Sequence, residues 1–236
     1  FSDINEALNY IEKLGAPLVV KADGLAAGKG VYVCHTKDEA VSAVNDIMGQ
    51  KRFGSAGANV VIEEFLEGEE ASLLVLVDGE NILPLASAQD HKAVFDGDNG
   101  PNTGGMGAYS PAPVLDDDML RKAVELVVKP VVNTMKQRRI PYKGVLYAGL
   151  MINNGVPYVL EFNCRFGDPE TQPVLSRIDG DLLPAILASC DGTLDGLLIK
   201  WKPQAAVCVV LASGGYPDDY GKGFEISGLE EASAKK

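Results

Sequence analysis

The chain has 236 residues, 46% hydrophobic and 23% charged, enough for one large domain or two small lobes with a sizeable core. Its formal net charge of −12 sets up a field that repels nucleic-acid backbones, so a nucleic-acid partner is excluded, while a small anion escorted by a divalent cation is not. Cys34, Cys164, Cys190 and Cys208 form no CxxC pair, and His35 and His91 are too few for a His/Cys zinc site; a reduced, cytoplasmic compartment is expected. There is no signal peptide and no apolar run of about 18 residues that would cross a membrane. The chain starts without Met on the approach to a helix and reads as a piece of a longer protein, with a monomer the favoured state.

In chain order, Ser2 and Asp3 precede an amphipathic stretch (Ile4, Ala7, Leu8, Ile11, Leu14) that Gly15 and Pro17 end, which predicts a capped helix. Leu18 to Ala22 predicts a short strand, the glycine-rich segment from Gly24 to Gly30 a loop, and Val31 to Cys34 a second strand. Thr36 and Glu39 have the spacing of a capping box opening a helix through Ala40, Val44 and Ile47. Val60 to Phe65 predicts a strand, and the runs from Ala71 and from Ile82 flank a hairpin signal at Asp78-Gly79. The Gly-, Asp-, Asn- and Pro-rich segment from Gln89 to Pro113 reads as a long functional loop. Asp116 caps a long helix through Val131, kinked at Pro130. Two strands meet at Asn153-Asn154-Gly155, a helix covers Leu182 to Ser189, and Ala205 to Leu211 reads as a buried strand opening a further unit. Hairpins and helices with few strand–helix–strand crossovers predict an α+β fold of two lobes around a cleft: 1–70, 71–200, and a truncated unit over 201–236.

Several residue groups carry chemistry. Gly24, Gly28 and Gly30 permit close backbone approach to a ligand and Lys29 adds a charge, but the spacing fits neither a Walker A loop nor a dinucleotide fingerprint; the loop reads as a phosphate flap or as a plain hairpin turn. Lys21, among Val19, Val20 and Ala22, reads as cleft-facing. In the acidic run after Ile62, Phe65 and Leu66 interrupt Glu63, Glu64, Glu67 and Glu70, as a wall for an adenine ring would; a solvated turn is the plainer alternative. Glu161 and Asn163, two apart on a strand, present oxygens to one side, a donor set suited to Mg²⁺ or Mn²⁺. Arg165, Asp168 and Glu170 follow at once. His91 reads as a hydrogen-bonding loop residue, and Pro101 to Gly107 as a turn or an anion-holding nest.

The order of Lys21, the Gly24–Gly30 loop, Glu-Glu-Phe-Leu-Glu-Gly, QDHKAVFDGDNGPNTGGMGAYSPAP, GVLYAGLM and EFNCRFGDPETQ resembles the phosphoribosylamine–glycine ligase family of ATP-grasp enzymes over nearly the whole chain. The resemblance implies ligation of glycine to 5-phosphoribosylamine with ATP and Mg²⁺, by way of glycyl phosphate. It implies that Lys21, Gly28, Lys29 and Gly30 serve the ATP phosphates, with Asn102 near them. Glu63, Glu64, Phe65 and Leu66 then line the adenine, Glu70 the ribose, and Glu161 and Asn163 the metal. Arg165 and Asp168 face glycine or the acyl phosphate. The family commonly carries Arg where this chain has Ala93, so its help to the nucleotide phosphates is either missing here or comes from elsewhere, such as Lys92. The resemblance also implies that an N-terminal domain and most of a C-terminal domain lie outside this chain, which leaves the isolated piece a weak Mg-ATP binder with little or no ligation. Two alternatives are a non-catalytic nucleotide-binding module and an ATP-grasp ligase for another acceptor.

Overall fold

The computed structural model describes residues 1–26 and 30–235. The first lobe is built on helix α1 (Ile4–Leu14), strands β1 (Leu18–Ala22), β2 (Val31–Cys34) and β3 (Val60–Glu64), and helix α2 (Lys37–Val44). Asp3 caps α1 by accepting from the amides of Asn5 (2.8 Å) and Glu6 (3.0 Å), and Gly15, at φ 83°, releases the chain at its end. Thr36 and Glu39 form the expected capping box on α2. The strands pair antiparallel in the order β2-β1-β3. Alternation along β1 then decides the geometry: Leu18 and Val20 are fully buried with Ala7, Ile11, Val44, Ile47 and Val60, while Val19 and Lys21 point to the opposite, cleft-lining face.

The second lobe centres on a sheet of order β5-β4-β8-β9, with β4 Glu69–Asp78, β5 Ile82–Pro84, β8 Lys143–Asn153 and β9 Val156–Asn163. Strand β4 is covered on both faces. Leu73, Val75 and Val77 pack with Ala123, Val128 and Val132; Leu74 and Leu76 pack with Tyr147, Val174, Ala185 and Leu194. Each such fully buried aliphatic side chain contributes about 1.5–3 kcal/mol, which makes this sheet the rigid platform of the cleft. The first face is covered by α3 (Asp117–Ala123) and α4 (Lys129–Gln137), the second by α5 (Thr171–Ser176) and α6 (Leu183–Asp191). Asp116 caps α3 as expected. Pro130 has no amide proton, and in the turn before it the ladder widens, the Lys129 amide donating to the carbonyl of Val124 five residues back. At the β8–β9 turn Asn154 (φ 49°) and Gly155 (φ 73°) both take the left-handed conformation of a two-residue hairpin.

Two expectations are corrected. The segment from Gln89 is not a loop: it folds into β6 (Gln89–Phe95) and β7 (Asn99–Ser110), an antiparallel pair with irregular register around Ala93. Glycine is a poor strand former by propensity, but here it permits contact. A Cβ on Gly107 would sit 2.5 Å from the carbonyl oxygen of Cys208, so only glycine lets the neighbouring strand approach. That neighbour is β10 (Ala206–Val209), which completes the sheet β10-β7-β6. Nor is β10 a buried strand, since Val207 and Val209 are 73% and 71% exposed. The short α7 (Leu229–Ser233) follows, with no buried residue.

Asp78 closes the β4–β5 hairpin and ties it to the segment after α6. Its carboxylate accepts from the amides of Glu80 (3.0 Å), Asn81 (2.7 Å) and Leu194 (3.0 Å) and from the Asn81 side chain (3.1 Å). Burial alone pushes its pKa up, but these donors together bring it down to about 2. Asp78→Ala leaves the donors without an acceptor and is expected to destabilise the fold by about 3 kcal/mol in denaturant titration at pH 7. Because the folded pKa is depressed, the wild-type advantage is full above about pH 4 and disappears as pH falls through about 2.

Candidate active site

Between the cleft face of the β2-β1-β3 sheet and the ends of β4, β6, β8 and β9 lies a cavity of about 1360 Å³. The loop between β3 and β4 forms one wall, with Glu63, Glu64, Phe65, Leu66 and Glu70 all on its lining, and Phe65 meets the ring of His35 edge-on at 5.5 Å. Val19, Val33, Met151 and Val159 extend the apolar part of the wall. Lys21 crosses between the lobes: its ammonium lies 2.5 Å from Glu63 Oε2 and donates to the carbonyl of Leu160 on β9 at 3.1 Å.

Glu161 and Asn163 line the same cavity and touch each other, Asn163 Nδ2 donating to Glu161 Oε1 at 3.2 Å. The two side chains thus share one side of β9, as their spacing requires. A carboxylate and an amide are hard oxygen donors, the set from which Mg²⁺ takes one or two protein ligands before completing its shell with phosphate oxygens and water. Among the described residues no group of three or more His, Cys, Asp or Glu side chains forms a self-sufficient metal cage, so the residues fit a metal shared with a ligand better than a purely protein-held one.

Arg165 and Asp168 also line the cavity; Arg165 donates to the Phe166 carbonyl (2.8 Å) and Asp168 accepts from the Gln172 side chain (2.8 Å). Asn102 lines it from β7, beside Ala93 on β6. Lys92 lines it too, but its ammonium is committed to Glu70 at 2.7 Å. Burial works against that charge, yet the carboxylates of Asp90 and Glu70 outweigh it and raise the lysine's pKa. Gly30 lies off the cavity lining, its carbonyl accepting from the amide of Ala22, and the expectations for Gly28 and Lys29 fall outside the described residues. Pro101 to Gly107 is extended strand rather than a turn, and His91 packs its ring on Tyr109 at 5.7 Å and makes no side-chain hydrogen bond among the described residues.

Of the floor of the cleft, sequence reasoning singles out Glu170 alone and misses Ser72, Tyr147 and Asp90 around it. Glu170, 3% exposed, accepts at Oε1 from Ser72 (3.0 Å) and Tyr147 (2.8 Å). Gly167 is required above it, since a Cβ there would come within 2.4 Å of Glu170 Oε2. Burial, then the charges of Glu170 and Asp90, push the Tyr147 phenol up, so it stays a hydrogen-bond donor. The side chain of Asp90 is 7% exposed and stands 3.8 Å from Lys92. Burial raises its pKa to about 6, Lys92 opposing and Glu170 and Glu70 reinforcing the shift. A carboxyl raised in the folded state favours the fold while protonated, and that contribution fades as pH climbs from about 4 to about 6. Asp90→Asn is therefore expected to match wild type in thermal denaturation near pH 4 and to exceed it above pH 6, by on the order of 2 kcal/mol.

The geometry can be set beside known proteins. A family model described as the phosphoribosylglycinamide synthetase ATP-grasp (A) domain matches residues 1–171. The phosphoribosylamine–glycine ligase of Vibrio vulnificus is 56% identical over 98% of this chain, and that of Pseudomonas aeruginosa 54% identical over 99%. The chain spans about half the length of the curated relatives it matches, 54% and 55% for these two. Among solved structures, the phosphoribosylamine–glycine ligase of Thermotoga maritima superposes with a TM-score of 0.81 at 36% identity, covering 93% of this chain and 55% of that one. A biotin carboxylase of Campylobacter jejuni, solved as a β-γ-ATP complex, shares the fold at a TM-score of 0.63 and 16% identity, covering 86% of this chain and 44% of that one. The chain belongs to the phosphoribosylglycinamide synthetase ATP-grasp domain family.

Proposed function

We propose that this chain is the nucleotide-binding part of a ligase that joins glycine to 5-phosphoribosylamine, using ATP and Mg²⁺ and releasing ADP and phosphate. One observation carries the reading: Glu161 and Asn163 stand side by side in the cleft that Lys21 and the Phe65–Leu66 wall also line. The names of the relatives support the substrates. The separate apolar cores support the division into a lobe over 1–70 and a second from 71, while within 201–236 Trp201 and β10 pack and pair with the second lobe rather than starting a unit of their own.

In this reading adenine lies against Val19, Val33, Phe65, Leu66 and Met151, Glu63 and Glu64 belong to the same wall, and Glu70 faces the ribose. Lys21 and Asn102 serve the phosphates. Glu161 and Asn163 hold the metal, which supplies neutralisation of phosphate charge. A glycine carboxylate oxygen attacks the γ-phosphorus as the bond to ADP breaks, giving glycyl phosphate. The ribosylamine nitrogen then attacks the acyl carbon, loses a proton, and phosphate departs. Positioning and charge balance suffice for both steps, so no Ser or Cys nucleophile is needed, and Arg165 and Asp168 face the acyl end. Exclusion of water protects the acyl phosphate.

Calorimetry on the chain is expected to show Mg-dependent ATP binding that Glu161→Ala abolishes; unchanged Mg dependence in that variant removes the metal assignment. In the protein carrying the remaining half of its relatives' length, phosphate release from ATP should require glycine and 5-phosphoribosylamine together. Release with neither present would be transfer to water and would count against the ligase reading.

A further inference from the structure

The chain that follows β10 returns to the cleft. Strand β10 stops at Val209, the amide of Val210 still donates to the Met106 carbonyl (2.9 Å), and a tight turn then brings Tyr216 back against β7. Main-chain bonds from Tyr216 to Ser213 (3.1 Å) and from Asp218 to Gly215 (3.0 Å) close that turn, and the Tyr216 ring meets that of Tyr220 edge-on at 5.2 Å. So held, the phenol oxygen accepts from the amide of Gly104 at 3.1 Å. Gly104 belongs to the cleft lining, and it lies in a bulge. His91 of β6 faces Gly107 of β7 and Ala93 faces Asn102, so Lys92 alone spans residues 103–106 and the strand ladder cannot satisfy their amides. Hydroxyl groups do so instead. Thr103, 3% exposed, donates to the Lys92 carbonyl (2.8 Å) and accepts from the Gly105 amide (3.0 Å), while Tyr216 serves Gly104. The bulge rests on the segment after β9: a Cβ on Gly105 would run into the Pro169 ring and come within 3.4 Å of the Asp168 carbonyl oxygen. Asn102 thus stands at one end of the bulge and Asp168 against its crest.

We propose that Tyr216 is a positioning residue of the cleft: its hydroxyl, together with that of Thr103, holds the bulge 103–106 against Asp168 and Pro169 and so fixes the separation of Asn102 from Asp168. The proposal rests on the ligase reading for what those two residues face, the nucleotide phosphates and the acyl end. Transfer between those ends depends on alignment, and an ångström of misplacement costs on the order of a hundredfold in rate. Bulges beside active sites aim side chains in this way, and they do so only where something outside the ladder keeps them from relaxing. Here that restraint comes from beyond residue 200, so the turn bearing Tyr216 serves the cleft although it lies far from it along the chain. Tyr216 acts through main chain, by way of Gly104 and Gly105, and takes no proton from the reacting groups.

Amide hydrogen exchange on the chain reads the bulge directly. Tyr216→Phe keeps the ring and removes the acceptor; it is expected to speed exchange at Gly104 by about tenfold while the β4 amides from Leu73 to Val77 keep their wild-type rates. Thr103→Val, a second variant in case the first folds poorly, should do the same at Gly105, and circular dichroism verifies the fold of both. In the protein carrying the remaining half of its relatives' length, each variant should lower kcat for phosphate release in the presence of glycine and 5-phosphoribosylamine by about tenfold and leave KM for ATP within about twofold. Unchanged exchange in the bulge, faster exchange spreading through β4, local loosening with a wild-type kcat, or a loss confined to KM for ATP overturns the positioning role. If wild type releases no phosphate in response to glycine and 5-phosphoribosylamine while the exchange result stands, the ligase reading falls and the hold of Tyr216 on the bulge is kept.

Discussion

Negative charge gathered in a partly closed space constrains this molecule more than any other feature. Each carboxylate around the cleft loses part of its hydration and must recover it from a cation or a hydrogen-bond donor. Lys21 meets Glu63, Lys92 meets Glu70, and Ser72 and Tyr147 meet Glu170. These pairings join elements distant in sequence. Lys21 binds the two lobes together through Leu160, and Glu170 fastens the segment bearing Arg165 and Asp168 to β4 and β8. What is left over is a cleft still rich in negative charge, which a nucleotide triphosphate would enter only with its own metal.

The same constraint separates what stabilises from what functions. Asp78 and Asp90 are both nearly buried aspartates. Asp78 is surrounded by amide donors, and its ionised form strengthens the fold. Asp90 is surrounded by other acids with a single lysine nearby, and its ionised form weakens it.

Much of this was legible in the sequence because local rules governed it. The capping box at Thr36–Glu39, the caps at Asp3 and Asp116, the hairpin at Asn154-Gly155 and the shared side of Glu161 and Asn163 depend only on neighbours and on strand periodicity. The glycine-rich strand β7 reads as a loop in sequence because part of its pairing comes from β10, far away along the chain, and because glycine signals close approach as readily as it signals a turn. The cleft floor was hidden for a similar reason. Tyr147 sits in an apolar strand and Ser72 in another, and their hydroxyls acquire meaning only when the β4–β8 register sets them beside Glu170. Ser72 did carry a weak signal, since it shares a strand side with Glu70.

Strand β10 bears on how the chain behaves at high concentration. It ends its sheet, pairing with β7 along one edge, and it turns Val207 and Val209 outward. A strand edge left unpaired among the described residues and flanked by branched aliphatic side chains is a template on which a second strand can add, hydrogen bond by hydrogen bond. Self-association nucleated there would be unrelated to the cleft, and a lysine at either valine would blunt it without touching a cleft residue.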